Sequence, residues 1–309
     1  MATQSVAAGA VQRSLAGAGR DWIGLVFALL LLGALLFSLV TLIVLLVDQV
    51  TRALPVFQER GVDFLTSGLS SDPAEAGVAQ GIVGSLFIGL LVSVLCFPLG
   101  ILTAVYLEEY SRDNILKRFI DINIRNLAGV PSIVYGLLGL TVFVAFFAFL
   151  GFPNNGRNII AGALTLTALI LPIVIITSAE ALRAVPLSLR EGGYGVGASR
   201  WQVTRRLVLP AAGPGILTGT ILALARALGE TAPLLLAGAV LGTFSTSGTI
   251  KDLLMGPYTV LPMTVYDWSR KPQDEFRELT SAAIIVLLVL TLTFNALAIF
   301  LRNRYQKQW

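Results

Sequence analysis

The sequence contains no histidine, so histidine metal sites and histidine acid–base catalysis are excluded. Its only cysteine, Cys96, cannot form an intramolecular disulfide. It sits in an apolar run, where a small buried filler is the plain reading. Charge is scarce too: 13% of the 309 residues are Asp, Glu, Lys or Arg, against about 25% in a soluble domain. The lysines are Lys117, Lys251, Lys271 and Lys307, and none follows a glycine. The phosphate-cradling loop GxxxxGK[ST] is therefore missing. The chain cannot be its own ATPase, and any transport it performs draws energy from a partner or an ion gradient.

Apolar residues are abundant: 55% of the chain is hydrophobic, and mean hydropathy is +0.80. Crossing the hydrocarbon takes roughly 20 apolar residues. Six stretches qualify, at about 22–47, 80–105, 127–150, 158–178, 214–242 and 281–301. The first is too long for the apolar region of a signal peptide, with no small-residue cleavage site behind it, and is expected to stay in the mature protein. The fold class is thus an all-α polytopic membrane protein. An N-terminal segment, 1–21, precedes a single transmembrane domain over 22–309. Pro98 and Pro172 are expected to kink their spans, which membrane helices tolerate. Thr165, Thr167 and Thr177 are expected to bond their own backbones, while Ser132 and Tyr135 are weaker pathway candidates.

Basic residues set the orientation. The N-terminal segment, residues 106–126, residues 179–213 and the tail carry 14 Lys and Arg, and segments 48–79, 151–157 and 243–280 carry 7. The richer side is cytoplasmic by the positive-inside rule, so both termini are expected inside. The formal net charge of +4 is read as this bias, and no nucleic-acid partner is implied. The outer stretch Leu261–Thr280, with Tyr266, Trp268, Glu275 and Phe276, reads as an interfacial helix with aromatic anchors or as an anchored loop. It offers a landing surface for an external solute-binding protein.

The segment EALRAVPLSLREGGYGVGASRWQVTRRLVLPAAGPG, Glu180 to Gly215, is too long and too apolar for a plain connector. It holds Glu191, then Gly192 and Gly193, then Gly197, and closes on Leu207, Leu209 and Pro210. This spacing resembles the coupling loop of ABC-importer permeases, which runs Glu-Ala-Ala, three residues, Gly, nine residues, Ile-x-Leu-Pro. The resemblance implies the type I importer permease fold and a short cytoplasmic helix that docks in a cleft of a separate ATPase. Glu191 would meet a basic partner residue, and Pro210 would end the element before the next span. Gly192 and Gly193 replace the family's alanines. At about 1 kcal/mol per glycine in a helix, they imply a looser element until the partner binds.

The fifth stretch contains ALARALGETAPLLL, with Arg226 and Glu230 among apolar residues. A charge at the centre of a membrane helix costs about 2.5–3.5 kcal/mol. At i and i+4 the two can pair on one face, a face that Gly219 and Pro233 share by heptad spacing. A guanidinium stays charged when desolvated and offers parallel donors to an anion's oxygens. The pair is either a transient oxyanion contact or a staple within the bundle.

RALGETAP, EGGYGVGASRWQ and GVPSIVYGLLGL resemble the A-type permeases of phosphate importers. That resemblance implies passage of phosphate near Arg226 and Glu230. It also implies a heterodimer with a C-type permease, two copies of an ATPase that binds ATP and Mg, and an external phosphate-binding protein. Another oxyanion such as phosphonate, sulfate or molybdate is the alternative cargo. An ion-coupled secondary transporter is the rival class, but Glu230 is the only acid in an expected span, and the halves show no convincing repeat. A passive membrane scaffold would explain neither the loop nor the pair.

Overall fold

A computed structural model describes residues 22–239 and 254–305. The expected N-terminal segment 1–21, the end of the fifth stretch and the tail's Lys307 lie outside the described residues. Among those described there are helices and turns but no strand. Contacts group the chain into two units, Met1–Thr51 and Arg52–Trp309, with the boundary inside the first helix, α1 (Trp22–Arg60).

Among the described residues six helical stretches are long and apolar enough to span a membrane, so the expected count stands, while several ends move. α1 runs 39 residues, about 58 Å at 1.5 Å per residue, well past the expected end at 47. After a short α2 (Val62–Thr66), the second span is α3 (Ala79–Val105), extended by a π turn over Tyr106–Tyr110.

The third span starts later than expected. Residues 115–128 form a separate amphipathic helix, α4 (Ile115–Ala128), capped by the Asn114 side chain and with no buried residue. Gly129-Val130-Pro131 breaks the chain there, because proline disfavours helix in the residue before it. The span then runs through α5 (Ser132–Leu138), a π turn (Gly139–Val144) and α6 (Ala145–Phe149).

The fourth span, α7 (Ile159–Arg183), is the most buried. It packs along α3, where Gly100 admits Val174. Thr165 and Thr177 donate to the carbonyls of Ala161 and Ile173, as expected. Thr167 is different, since its buried hydroxyl has no hydrogen-bond partner among the described residues. Tyr135 is buried, and its hydroxyl donates to the Leu127 carbonyl at 2.9 Å, which makes it a structural residue.

Three helices follow: α8 (Leu187–Gly195), α9 (Arg200–Val203) and α10 (Leu209–Gly229). A π turn over Thr204–Val208 joins α9 to α10. α11 (Ala232–Leu236), α12 (Leu261–Trp268) and α13 (Asp274–Tyr305) complete the chain. The expected outer helix exists as α12, but Trp268 and Phe276 do not anchor it at headgroup level. Both are buried, their rings tilted at 56° with centroids 5.8 Å apart, and Trp268 also meets Phe64. The aromatic rings gain more from closing this apolar cluster than from lying at an interface.

Candidate functional site

The expected coupling segment folds as α8, a left-handed turn and the capped start of the fifth span. α8 begins directly after Pro186, whose fixed φ suits a helix entry. Glu191 and Gly192 point into open space, and a side chain at Gly192 would meet nothing within 4 Å. Gly193 is buried: a Cβ there would come within 2.8 Å of Leu207 and 2.9 Å of Val203. The two glycines therefore differ. Gly192 costs helix propensity, as anticipated, while Gly193 lets α8 approach the π turn and tightens the element. Gly197 has φ +81°, a conformation that side chains resist, and it turns the chain toward α9. Ser199 and Gln202 then form a reciprocal capping box.

Pro210 does not end the element. It lies in the first turn of α10, inside one continuous helical stretch, Arg200–Gly229. Proline has no N–H for the carbonyl four residues back. The preceding π turn absorbs this locally, with the Leu209 N–H donating to the Thr204 carbonyl five residues back.

Two acids missed in the sequence reading hold this element. Arg190 of α8 lies largely buried and donates to Glu109 at 2.8 Å, to the Leu182 carbonyl at 2.8 Å and to the Val185 carbonyl at 2.7 Å. Glu109 is only 5% exposed. Beside it, Arg183 at the end of α7 makes a two-pronged contact with Glu108, its Nε donating at 2.9 Å. The Arg200 guanidinium lies 5.2 Å from the centre of the Tyr110 ring. Glu108, Glu109, Arg183, Arg190 and Arg200 line a cleft of about 430 Å³. The available signal was the acidic doublet in YLEEY, at the end of a span facing a basic segment.

Arg226 and Glu230 are brought together, but not in mid-helix. α10 stops at Gly229, and Glu230 is already extended, with ψ 121°. Glycine weakens the helix there, and Pro233 is accommodated in the first turn of α11 rather than kinking one long span. The contact is single and long: Arg226 Nε donates to Glu230 Oε1 at 3.3 Å, with side chains 49% and 19% exposed. Among the described residues the two terminal guanidinium nitrogens have no partner.

The end of α10 lies within the bundle. Leu228 meets Gly89, ten residues into α3. Arg226 belongs to an exposed stripe with Leu222 and Gly229. Gly219 is instead buried against Thr177 of α7, and Pro233 is buried against Gly136. Heptad spacing thus put packing glycine and exposed arginine on one nominal face. The face passes from contact with α7 to open surface within two turns.

Six helical stretches long and apolar enough to cross a membrane, with a short exposed helix between the fourth and fifth, give the described residues the architecture of a membrane permease. The chain belongs to the family described as binding-protein-dependent transport system inner membrane component, whose profile matches residues 96–307. It is 35% identical over 287 residues to the phosphate transport system permease protein PstA of Yersinia pestis, covering 89% of this chain and 88% of that protein. It is 37% identical over 205 residues to the Probable ABC transporter permease protein YqgH of Bacillus subtilis (strain 168), covering 62% of this chain and 65% of that protein. Among solved structures, a bacterial ABC transporter involved in importing the acidic polysaccharide alginate matches with a TM-score of 0.63 at 16% identity. That match covers 94% of this chain and 100% of that one, and it bears on the fold alone. These relatives are permease components rather than ATPases.

Proposed function

We propose that the chain is the phosphate-conducting permease subunit of an ATP-driven importer, spanning the cytoplasmic membrane with both termini inside. The observation that carries this reading is Arg226. It lies on the exposed stripe of an apolar span, lightly held by Glu230, with two nitrogens that meet no partner among the described residues. A charge facing lipid would cost about 2.5–3.5 kcal/mol, so the stripe faces a partner subunit or water. Its fork of donors fits a compact oxyanion, and Glu230 keeps the site from trapping the anion. The names of the Yersinia pestis and other relatives favour phosphate.

The partners on this reading are a second, C-type permease, two copies of an ATPase that binds ATP and Mg, and an external phosphate-binding protein. α8 and its flanks expose Leu187, Tyr194, Val196 and Trp201 around Glu191. An apolar patch of this kind marks a contact surface, here for the ATPase.

Arginine chemistry alone does not separate phosphate from sulfate, molybdate or a phosphonate. The complete complex in proteoliposomes separates them through uptake of labelled phosphate against each unlabelled competitor. Uptake blocked by excess phosphate only is expected. Uptake of sulfate or molybdate with none of phosphate would overturn the cargo while leaving the permease assignment standing.

A further inference from the structure

We propose that Arg190 and Glu109 form a coupling latch that makes the ATPase-facing helix α8 move as one body with the ends of α3 and α7. This rests on the permease reading above.

Nine residues with three glycines make a weak helix on their own. Beyond the packing at Gly193, one side chain ties α8 to the spans. The Arg190 guanidinium reaches the Leu182 carbonyl at the end of α7 and the Val185 carbonyl just beyond it, close to the carbonyls a helix end leaves without intrahelical partners. Its other contact is Glu109, 81 residues away on the π extension of α3. Three elements thus meet at one buried cation.

Glu109 is nearly inaccessible, so parting the pair would strand a charge out of water. A buried pair is costly to break by removing one partner. Under load from the ATPase, the junction therefore carries α3 and α7 along rather than opening. The Arg183–Glu108 contact braces the same corner. From there the packed path continues. α7 meets α10 where Gly215 touches Ala181 and where Gly219 touches Thr177. Arg226 lies on α10 two turns beyond Gly219. Coupling between distant sites runs through such packed contacts when they have two arrangements, and the transport cycle supplies two.

Arg190 is a positioning residue, so its test needs a readout that a staple would not move. The readout is phosphate imported per ATP hydrolysed by the complete complex with its binding protein, in proteoliposomes. Arg190→Lys keeps the charge but cannot reach three acceptors in a plane. It is expected to lower that ratio about tenfold, in the range of ordinary coupling energies, while hydrolysis continues. An unchanged ratio overturns the latch, and so does a fall in uptake and hydrolysis together.

A second variant carries Glu109→Cys and Arg190→Cys in a Cys96→Ala chain. The ratio is expected to be low before a short bis-maleimide joins the two thiols and to recover afterwards. Arrest of uptake by the linker would show that the two elements separate during the cycle, and would also overturn the proposal. If the native complex imports no phosphate when ATP is supplied, the permease reading fails instead, and the two failures are distinguishable.

Discussion

The chain holds two arginine–glutamate pairs that look alike on paper and differ in every physical respect. Arg190 and Glu109 are 81 residues apart, meet at 2.8 Å with side chains 15% and 6% exposed, and share the cation with two carbonyls. Arg226 and Glu230 are four apart, meet at 3.3 Å with side chains 49% and 19% exposed, and share one hydrogen bond. The first cation makes three hydrogen bonds to three acceptors and is mostly buried, so it holds structure together. The second keeps donors open beside a helix break, so it can exchange one acceptor for another. On the roles proposed above, loose geometry suits the charge that meets the anion, and several buried contacts suit the charge that transmits force.

Loss of the interaction that Glu191 is proposed to make with the motor gives the largest expected change on the coupling side. Glu191→Lys reverses an exposed charge without disturbing α8, and phosphate-stimulated ATP hydrolysis should fall about tenfold or more. Charge reversal at an interface costs several kcal/mol. Unchanged stimulation would break the contrast, because α8 would then not be the docking element. On the pathway side, Arg226→Lys retains charge and removes the fork. An intermediate loss is expected, about tenfold in uptake, for one charge-assisted hydrogen bond of about 1.5–3 kcal/mol. Near-native uptake would mean that charge alone suffices at that step.

The smallest effects separate the two neighbouring glycines. Gly192→Ala should stabilise α8 by about 1 kcal/mol, since nothing stands in the way of a methyl group. Gly193→Ala should destabilise the subunit by about 1–3 kcal/mol, because Val203 and Leu207 must move. Thermal unfolding of the purified complex distinguishes the two. Equal shifts would contradict the close packing of α8 on the π turn.

How legible each feature was in the sequence follows from its range. Hydropathy is a property of contiguous residues, and it marked all six spans. Helix ends depend on single backbone interruptions inside apolar runs, so the break at Gly229 and the separate helix before Pro131 went unseen. The short helix after the fourth span was legible through spacing, with Gly197 at its turn, while its coupling role is the proposal above. Pro210 was misplaced because a π turn can carry a helix through a proline. Glu109 was missed since its partner lies in another span's loop, and nothing local distinguishes it from a solvated acid. Trp268 read as an interfacial anchor because amphipathic rings favour that site, yet Phe64 and Phe276 supply a buried one.

The sharpest test of the account is the initial rate of labelled-phosphate uptake by proteoliposomes holding equal amounts of assembled native and Arg226→Gln complex. Losing two charge-assisted hydrogen bonds of about 1.5 kcal/mol or more each predicts a fall of at least about a hundredfold, with assembly intact. Uptake at the native rate would contradict the account and leave Arg226 as a second structural pair.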